Sequence, residues 1–301
     1  MIVGYCKKQG GTITSACGLL GVSRQVYYRS IRSKKKCRQT AADVVGLVSG
    51  VRKEMPRLGT RKLYHLLRFT LAPLGVGRDK LFSIIRANRM GVVPLRSYRT
   101  TTNSHHRFRK HKNLVAGKEP TRPEQVWVSD ITYVGTKYGH TYLSLITDAY
   151  SKKVVGHCLH GTLGAEGPVK ALEMAIKQRS YKGEPLIHHS DRGVQYCCDA
   201  YQRLLEKGKM QCSMTETYDP YANAVAERIN GILKGEFLLE TFDADLKTMK
   251  KIVAQSIYIY NNKRPHCSCH MMTPEVMHHQ KTAKIRTYKK LGLSKASLGE
   301  T

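Results

Sequence analysis

Three runs rich in β-branched and aromatic residues, 125–135 (QVWVSDITYVG), 140–150 (HTYLSLITDAY) and 152–160 (KKVVGHCLH), stand almost back to back. The turns between them, 137–139 and Ser151, are too short to hold a crossover, so the runs can pair only as two antiparallel hairpins in a three-strand meander. The pattern then changes. Val169, Leu172, Met174, Ala175 and Ile176 supply the apolar positions of a helix over 166–179, a short strand follows at 185–189, a helix at 198–207, a strand at 211–214, and a helix carrying Glu227 after the loop TETYDPYANAV. The order βββαβαβα describes an α/β domain whose mixed sheet has helices on its faces.

The rest of the chain is distinguished by charge. Of 51 Lys and Arg in 301 residues, 27 precede Pro123, against 4 Asp and Glu; the remaining 24 face 18 acids. A net +23 over the first 122 residues, within a total of +29, is a nearly unopposed positive field that suits phosphate contacts and points to a nucleic-acid partner. No apolar run approaches the roughly 18 residues of a membrane span, and MIVGYCKKQGG lacks the apolar stretch of a secretory signal, so a cytoplasmic protein without membrane association is expected. Nine scattered cysteines, an odd number, imply reduced thiols rather than a disulfide framework.

Within the basic portion, 13–29 (ITSACGLLGVSRQVYYR) scans as a helix-turn-helix with its turn at Gly21-Val22-Ser23. Ser23 suits an N-cap, Gly21 permits reversal, and Arg24, Gln25, Tyr27, Tyr28 and Arg29 follow as candidates for phosphate or base-edge contacts, some of the tyrosines being core instead. SKKKCR, 33–38, reads as an exposed basic linker. A second helical unit sets Leu63, Leu66 and Leu67 on one face, and its partner at 80–88 repeats Leu81, Ile84 and Ile85 at helical spacing before Gly91 stops it. From 92 to 122 periodicity fades into a text of Arg, Lys, His and hydroxyls, the composition of a linker able to track a DNA backbone. The expected organisation is therefore 1–38 and 39–98 as helix-turn-helix-like regions, 99–122 as basic linker, 123–280 as the α/β core with its C-terminal helix, and 281–301 as a basic tail.

Chemistry concentrates on three acids. Asp130 lies on the first strand, Asp191 just beyond the fourth in HHSDRGVQY, and Glu227 on a later helix, with 35 residues between the last two. Asp148, Glu216, Asp219 and Glu236 are the competing carboxylates nearby. On the Glu227 helix, Asn230 and Lys234 fall within about 60° of Glu227, so one face carries an acid, an amide and a cation. Strand alternation lets only one of His188 and His189 face such a site. His266, Cys267, Ser268, Cys269 and His270 form a local cluster, but a CxC spacing without a second cysteine pair fits structural zinc poorly.

The stretches WVSDITYV, LITDAYSKKVVG, HHSDRGVQY, SMTETYDPYANAVAERINGILKGEF and YNNKRPHCSCHMMTPEVM run in order from Trp127 to Met277. Together with the D,D(35)E spacing they resemble the catalytic OrfB transposase of the IS-three family of insertion sequences, within the retroviral-integrase superfamily. The resemblance implies an RNase H-like integrase catalytic core, a mixed five-stranded sheet with flanking helices, preceded by a helical helix-turn-helix DNA-binding region. It implies a DDE transposase that cleaves and transfers DNA strands with two Mg²⁺ ions, Mn²⁺ substituting, held by Asp130 bridging both ions, Asp191 at one and Glu227 at the other. Lys234 and Arg192 would contact DNA, Asn230 would orient the acid or the strand, Gly193, Gln195 and Tyr196 would belong to a substrate loop, and Asn261, Arg264, Pro265 and His266 to a structural or DNA-facing turn. Its partners would be the element's terminal repeats, target DNA, further copies of the chain, and an upstream OrfA product or fusion segment. A non-enzymatic DNA-binding regulator and an RNase H-like nuclease without strand joining are the competing functions.

Overall fold

The computed structural model describes residues 10, 12–93, 111–117, 119–215 and 224–285. They divide into two compact units, one within 1–53 and 59–91, the other within 54–58 and 92–301.

The first unit is helical. Helix α1 (Ile13–Leu19) is capped by Thr12, whose hydroxyl accepts from the Ser15 N–H at 3.1 Å. Gly21 turns the chain at φ +63°, and the Ser23 hydroxyl accepts from the Val26 N–H at 3.3 Å, starting α2 (Arg24–Glu54). That helix runs through 33–38, so the anticipated basic linker is instead helical. No Gly or Pro falls between Ser23 and Gly46, and Lys, Arg, Gln and Ala are good helix formers. Burial of Thr40, Val44 and Val48 on one face anchors the second half. The boundary expected at 38/39 is therefore the middle of one helix. Helices α3 (Thr60–Leu71) and α4 (Arg78–Ala87) complete the unit. Leu63, Leu67 and Leu71 are the buried line of α3, whereas Leu66, anticipated on that face, is exposed. Helix α4 ends before Gly91: the Asn88 side chain donates to the Ile84 carbonyl at 2.8 Å, and Arg89 takes φ +54°.

The second unit is built on a five-stranded sheet in the order β3-β2-β1-β4-β5, with β1 (Val126–Thr136), β2 (Gly139–Asp148), β3 (Val154–His160), β4 (Leu186–Ser190) and β5 (Met210–Met214). The pairs β1–β2 and β2–β3 are antiparallel, as the short turns demanded, while β4 lies parallel to β1 and β5 parallel to β4. Helix α5 (Glu166–Lys177) covers one face so closely that a Cβ on Gly156 would stand 2.1 Å from the Ala171 carbonyl oxygen. The short α6 (Val194–Cys197), not anticipated, precedes α7 (Asp199–Lys207); then come α8 (Ala224–Glu236), α9 (Leu246–Asn262) and α10 (Pro274–His278). Trp127, Ile146, Leu172, Tyr196, Tyr201 and Met214 form the main core on the α5–α7 side.

Both edges of this unit reach further than composition suggested. Within the supposed linker, the Leu114 N–H donates to Ser213 Oγ at 2.9 Å, and Arg122 donates to the Pro185 carbonyl at 2.6 Å. Within the supposed tail, the Ala283 carbonyl accepts from the Tyr150 hydroxyl at 2.6 Å and Ile285 packs against the same cluster. Backbone groups are as available to pairing as any side chain, and low hydrophobicity does not announce this. Residues 94–110 of the linker and 286–301 of the tail lie outside the described residues.

A buried polar knot joins the sheet to the last helix. Glu124 and Asp148 are fully buried. Asp148 accepts from the Glu124 N–H at 2.9 Å and the Ser151 N–H at 2.8 Å, and His278 stands 3.4 Å from Glu124 and 3.6 Å from Asp148. Arg179 lies 3.4 Å from Glu124. Burial works against charge on both Glu124 and His278, but the outcome is set by their partners. Bonds from His278 and the Ser180 and Tyr181 N–H groups hold Glu124 below the usual carboxylate range, and Asp148 and Glu124 raise His278.

Candidate active site

The site arises at the C-terminal side of the parallel β1–β4 pair. Register Val126↔Ile187, Trp127↔His188, Val128↔His189, carried on, sets Asp191 beside Asp130, each two residues beyond the last pair. Adjacent strands lie about 4.8 Å apart, so two acids 61 positions apart become lateral neighbours. Val126, Val128 and Asp130 share one face by alternation. On it lies α8, with Ala226 packed against Val126 and Val128. Glu227 is in the first turn of α8, and Asn230, one turn on from Ala226, donates from Nδ2 to Asp130 Oδ2 at 2.7 Å.

Asp130 Oδ1 accepts from the Ile131 N–H at 2.9 Å. Its carboxyl is nevertheless pushed up to about 7, first by burial, then by the charge of Asp191, with Glu227 adding to it; the bonds from Ile131 and Asn230 pull the other way without prevailing. Asp191 and Glu227 are thus both near enough to act on the charge of Asp130. Asp191 Oδ1 accepts from the Gly193 N–H at 3.0 Å, and a Cβ on Gly193 would stand 3.0 Å from that same oxygen, so glycine keeps the turn beside the acid open. Among the described residues no three His, Cys, Asp or Glu are placed to hold a single ion. The donor set still suits a hard cation. Mg²⁺ commonly takes one or two carboxylates and completes its shell with water and phosphate oxygen, and the neighbouring negative charge that adds to the effect of burial on Asp130 is what a cation would relieve.

The competing acids have structural partners. Asp148 belongs to the buried knot, and Glu236 accepts a two-point bond from the buried Arg264, at 2.8 Å from both Nε and Nη2. Glu216 and Asp219 lie outside the described residues. Both histidines of β4 are buried. His188 Nε2 meets the Tyr201 hydroxyl at 2.8 Å and burial takes its pKa down to about 3, while His189 Nδ1 meets Ser213 Oγ at 2.9 Å. Tyr196, anticipated in a substrate loop, is 2% exposed and packs edge-on to Tyr201, because α6 turns it into the core. Gln195 donates to the Leu163 carbonyl at 3.0 Å, and Arg192 is half-buried.

Lys234 pairs with Glu240 at 2.9 Å. Glu240, on a 3₁₀ turn spanning Leu239–Thr241, carries no motif that would have marked it in the sequence. Arg264 and Asn261 are structural: Asn261 bonds both Val154 backbone groups, at 3.0 and 2.9 Å. In the His-Cys cluster, the Cys269 thiol is directed to the Ser151 carbonyl at 3.4 Å while His270 Nε2 meets the Lys284 carbonyl at 2.6 Å, and no described cysteine is in a disulfide. In the first unit, Arg24, Gln25, Tyr28 and Arg29 are exposed on the first turns of α2 and Tyr27 is half-buried.

Two descriptions of the integrase core domain match the chain, over residues 120–220 and 208–274. The fold and site thus define a DDE-type transposase or integrase enzyme. The chain is 34% identical over 265 residues to the insertion element IS600 31 kDa protein of Shigella sonnei, covering 86% of this chain and 95% of that one. It is 27% identical to transposase InsF of insertion sequence IS3A from Escherichia coli K12, over 88% of this chain and 93% of that one. Among solved structures, a simian T-cell lymphotropic virus intasome in complex with a PP2A regulatory subunit is similar at 19% identity and TM-score 0.47, covering 79% of this chain and 81% of that one. The chain belongs to the IS-three family of insertion-sequence transposases. No helix among the described residues is long and apolar enough to cross a membrane.

Proposed function

We propose that this transposase binds the ends of its own element, hydrolyses a phosphodiester there, and joins the freed 3′-hydroxyl to a second phosphodiester in target DNA. The observation that carries the reading is the placement of Asp130 on β1 in line with Asp191 just past β4, with Asn230, one turn after Glu227 on α8, donating to Asp130 Oδ2 at 2.7 Å. In-line displacement at phosphorus needs a positioned attacking oxygen and relief of charge on the phosphate. Asp130, Asp191 and Glu227 would hold two Mg²⁺ ions, or Mn²⁺ in their place. Such ions, when bound, supply charge neutralisation and an activated oxygen. Asn230 fixes the direction of Asp130 Oδ2, and Gly193 leaves room beside Asp191. In the first step water's oxygen bonds to phosphorus as the P–O3′ bond breaks, leaving a 3′-hydroxyl; in the second that hydroxyl bonds to target phosphorus and another P–O3′ bond breaks.

DNA would be held near the acids by Arg192 and by Lys234 on release from Glu240. Arg24, Gln25, Tyr28 and Arg29 would read the element ends from the helix-turn-helix. Two ends must meet for joining, so the working form is an assembly of several copies, with an OrfA product or fusion as a further partner. A DNA-acting enzyme of this kind works in the cytoplasm on the nucleoid.

The test is incubation with labelled element-end and target DNA in Mg²⁺ or Mn²⁺. The native chain is expected to nick and join, and Asp191→Ala and Glu227→Ala to lose at least a thousandfold of both while still binding DNA. Activity without divalent cation, or undiminished in either variant, overturns the assigned site; nicking without joining reassigns the chain as a nuclease.

A further inference from the structure

Continuity of α2 through 33–38 changes what the basic run can do. Residues 24–39 are helical, and apart from the half-buried Tyr27 every one is exposed; burial on this helix begins at Thr40. This half carries Arg24, Arg29, Arg32, Lys34, Lys35, Lys36 and Arg38 and no acid. At about 100° per residue the cations occupy an arc of roughly 220°, while Val26, Ser30, Ser33 and Cys37 form an uncharged stripe on the other side. That stripe is in line with the buried Thr40, Val44 and Val48. Central to the cationic arc, between flanking cations, lie Tyr28 and Ile31, at 53% and 45% exposure.

Like charges three and four residues apart, such as Arg32 with Lys35 and Lys36, or Lys34 with Arg38, each destabilise an isolated helix by about 0.2–0.5 kcal/mol. No acid on this stretch offsets them. The counter-charge has to come from outside, on both sides of the helix at once. A duplex major groove offers that arrangement: phosphates along two walls about 12 Å apart, and between them base edges that include the thymine methyl.

We propose that the recognition surface extends beyond the helix-turn-helix along α2 to Arg38, as one continuous groove-filling helix. Arg29, Lys34, Lys36 and Arg38 contact phosphates on the two walls, and Ile31 and Lys35 face base edges beside Arg24 and Tyr28. The inference rests on the proposed binding of element ends and adds residues 31–38 to it.

Fluorescence anisotropy of the full chain, with an element-end duplex and a scrambled duplex over a range of salt, tests it. Exposed Lys→Gln changes keep good helix formers in place, so K34Q/K36Q is expected to retain the parental Tm. It should bind both duplexes more weakly by a similar factor and lower the slope of log affinity against log salt by about 0.9 per lost contact. Ile31→Ala should leave that slope unchanged and cut the preference for the element end about fivefold or more. If the native chain does not prefer element ends, the proposed end binding fails; if it does and both variants match it in affinity, slope and preference, only the extension along α2 is overturned.

Discussion

The two units use charge in opposite ways. In the first, cations line one exposed stretch of helix with no acids among them; in the second, charged groups are withdrawn from water and tied to named partners, as in the Glu124–Arg179–His278–Asp148 knot and the Arg264–Glu236 fork. A buried charge must be paired because desolvation costs several kcal/mol per ion. An exposed one is cheap to leave unpaired and stays available to a polyanion. The same side-chain types therefore maintain structure in one unit and offer a binding surface in the other.

That contrast is most easily broken in the core. Asp148→Ala strips the acceptor from the Glu124 and Ser151 N–H groups and leaves His278 between one acid and a gap. A loss on the order of 3–5 kcal/mol in denaturant unfolding is expected. An outcome below about 1 kcal/mol would mean the knot is not needed to maintain the fold. Lys36→Ala, a larger truncation on α2, should change stability by no more than about 0.5 kcal/mol.

A smaller effect comes from pH. Glu124, held below its ordinary value, contributes stability that is present above about pH 4.3 and lost as pH falls through its lowered folded value. His278, raised, contributes stability that is complete below about pH 6.5 and lost as pH rises through its folded value. Asp130 acts in the same direction as His278: raised to about 7, it costs stability progressively as pH climbs from the ordinary carboxylate range to that value. The metal-free core should thus be most stable between about pH 4.3 and 6.5, and its Tm should fall between pH 6 and pH 8. A Tm that rises over that interval contradicts the assignment. A local effect is expected of Ser23→Ala, which removes the acceptor of the Val26 N–H. It should cost about 1 kcal/mol, read as lower helicity by circular dichroism with the core transition unmoved.

Much of the site was legible in the chain because its logic is local or metrical. The strand runs and turn lengths place Asp130 on a strand, Asp191 just past one and Glu227 on a helix, the family resemblance singles these three out, and Ser23 and Gly21 mark a cap and a reversal by their own chemistry. What escaped either carries no apolar period or is long-range. The helix through SKKKCR was concealed by its lack of apolar periodicity, and the backbone bonds of Leu114 and the Tyr150 contact to Ala283 leave no trace in composition. Tyr196, read as part of a substrate loop, is buried by a turn of helix too short to show a period.

The sequence by itself determined the order of elements, the antiparallel meander, the candidate acids and the lopsided charge, since each depends on residue type and spacing along the chain. Only the tertiary structure decided that Asp130 and Asp191 sit side by side, that Asn230 binds the first of them, that Lys234 is held by Glu240, and that Asp148 and Arg264 are structural. Those outcomes depend on strand register, helix docking and burial, which set distances and solvation between groups that the chain keeps far apart.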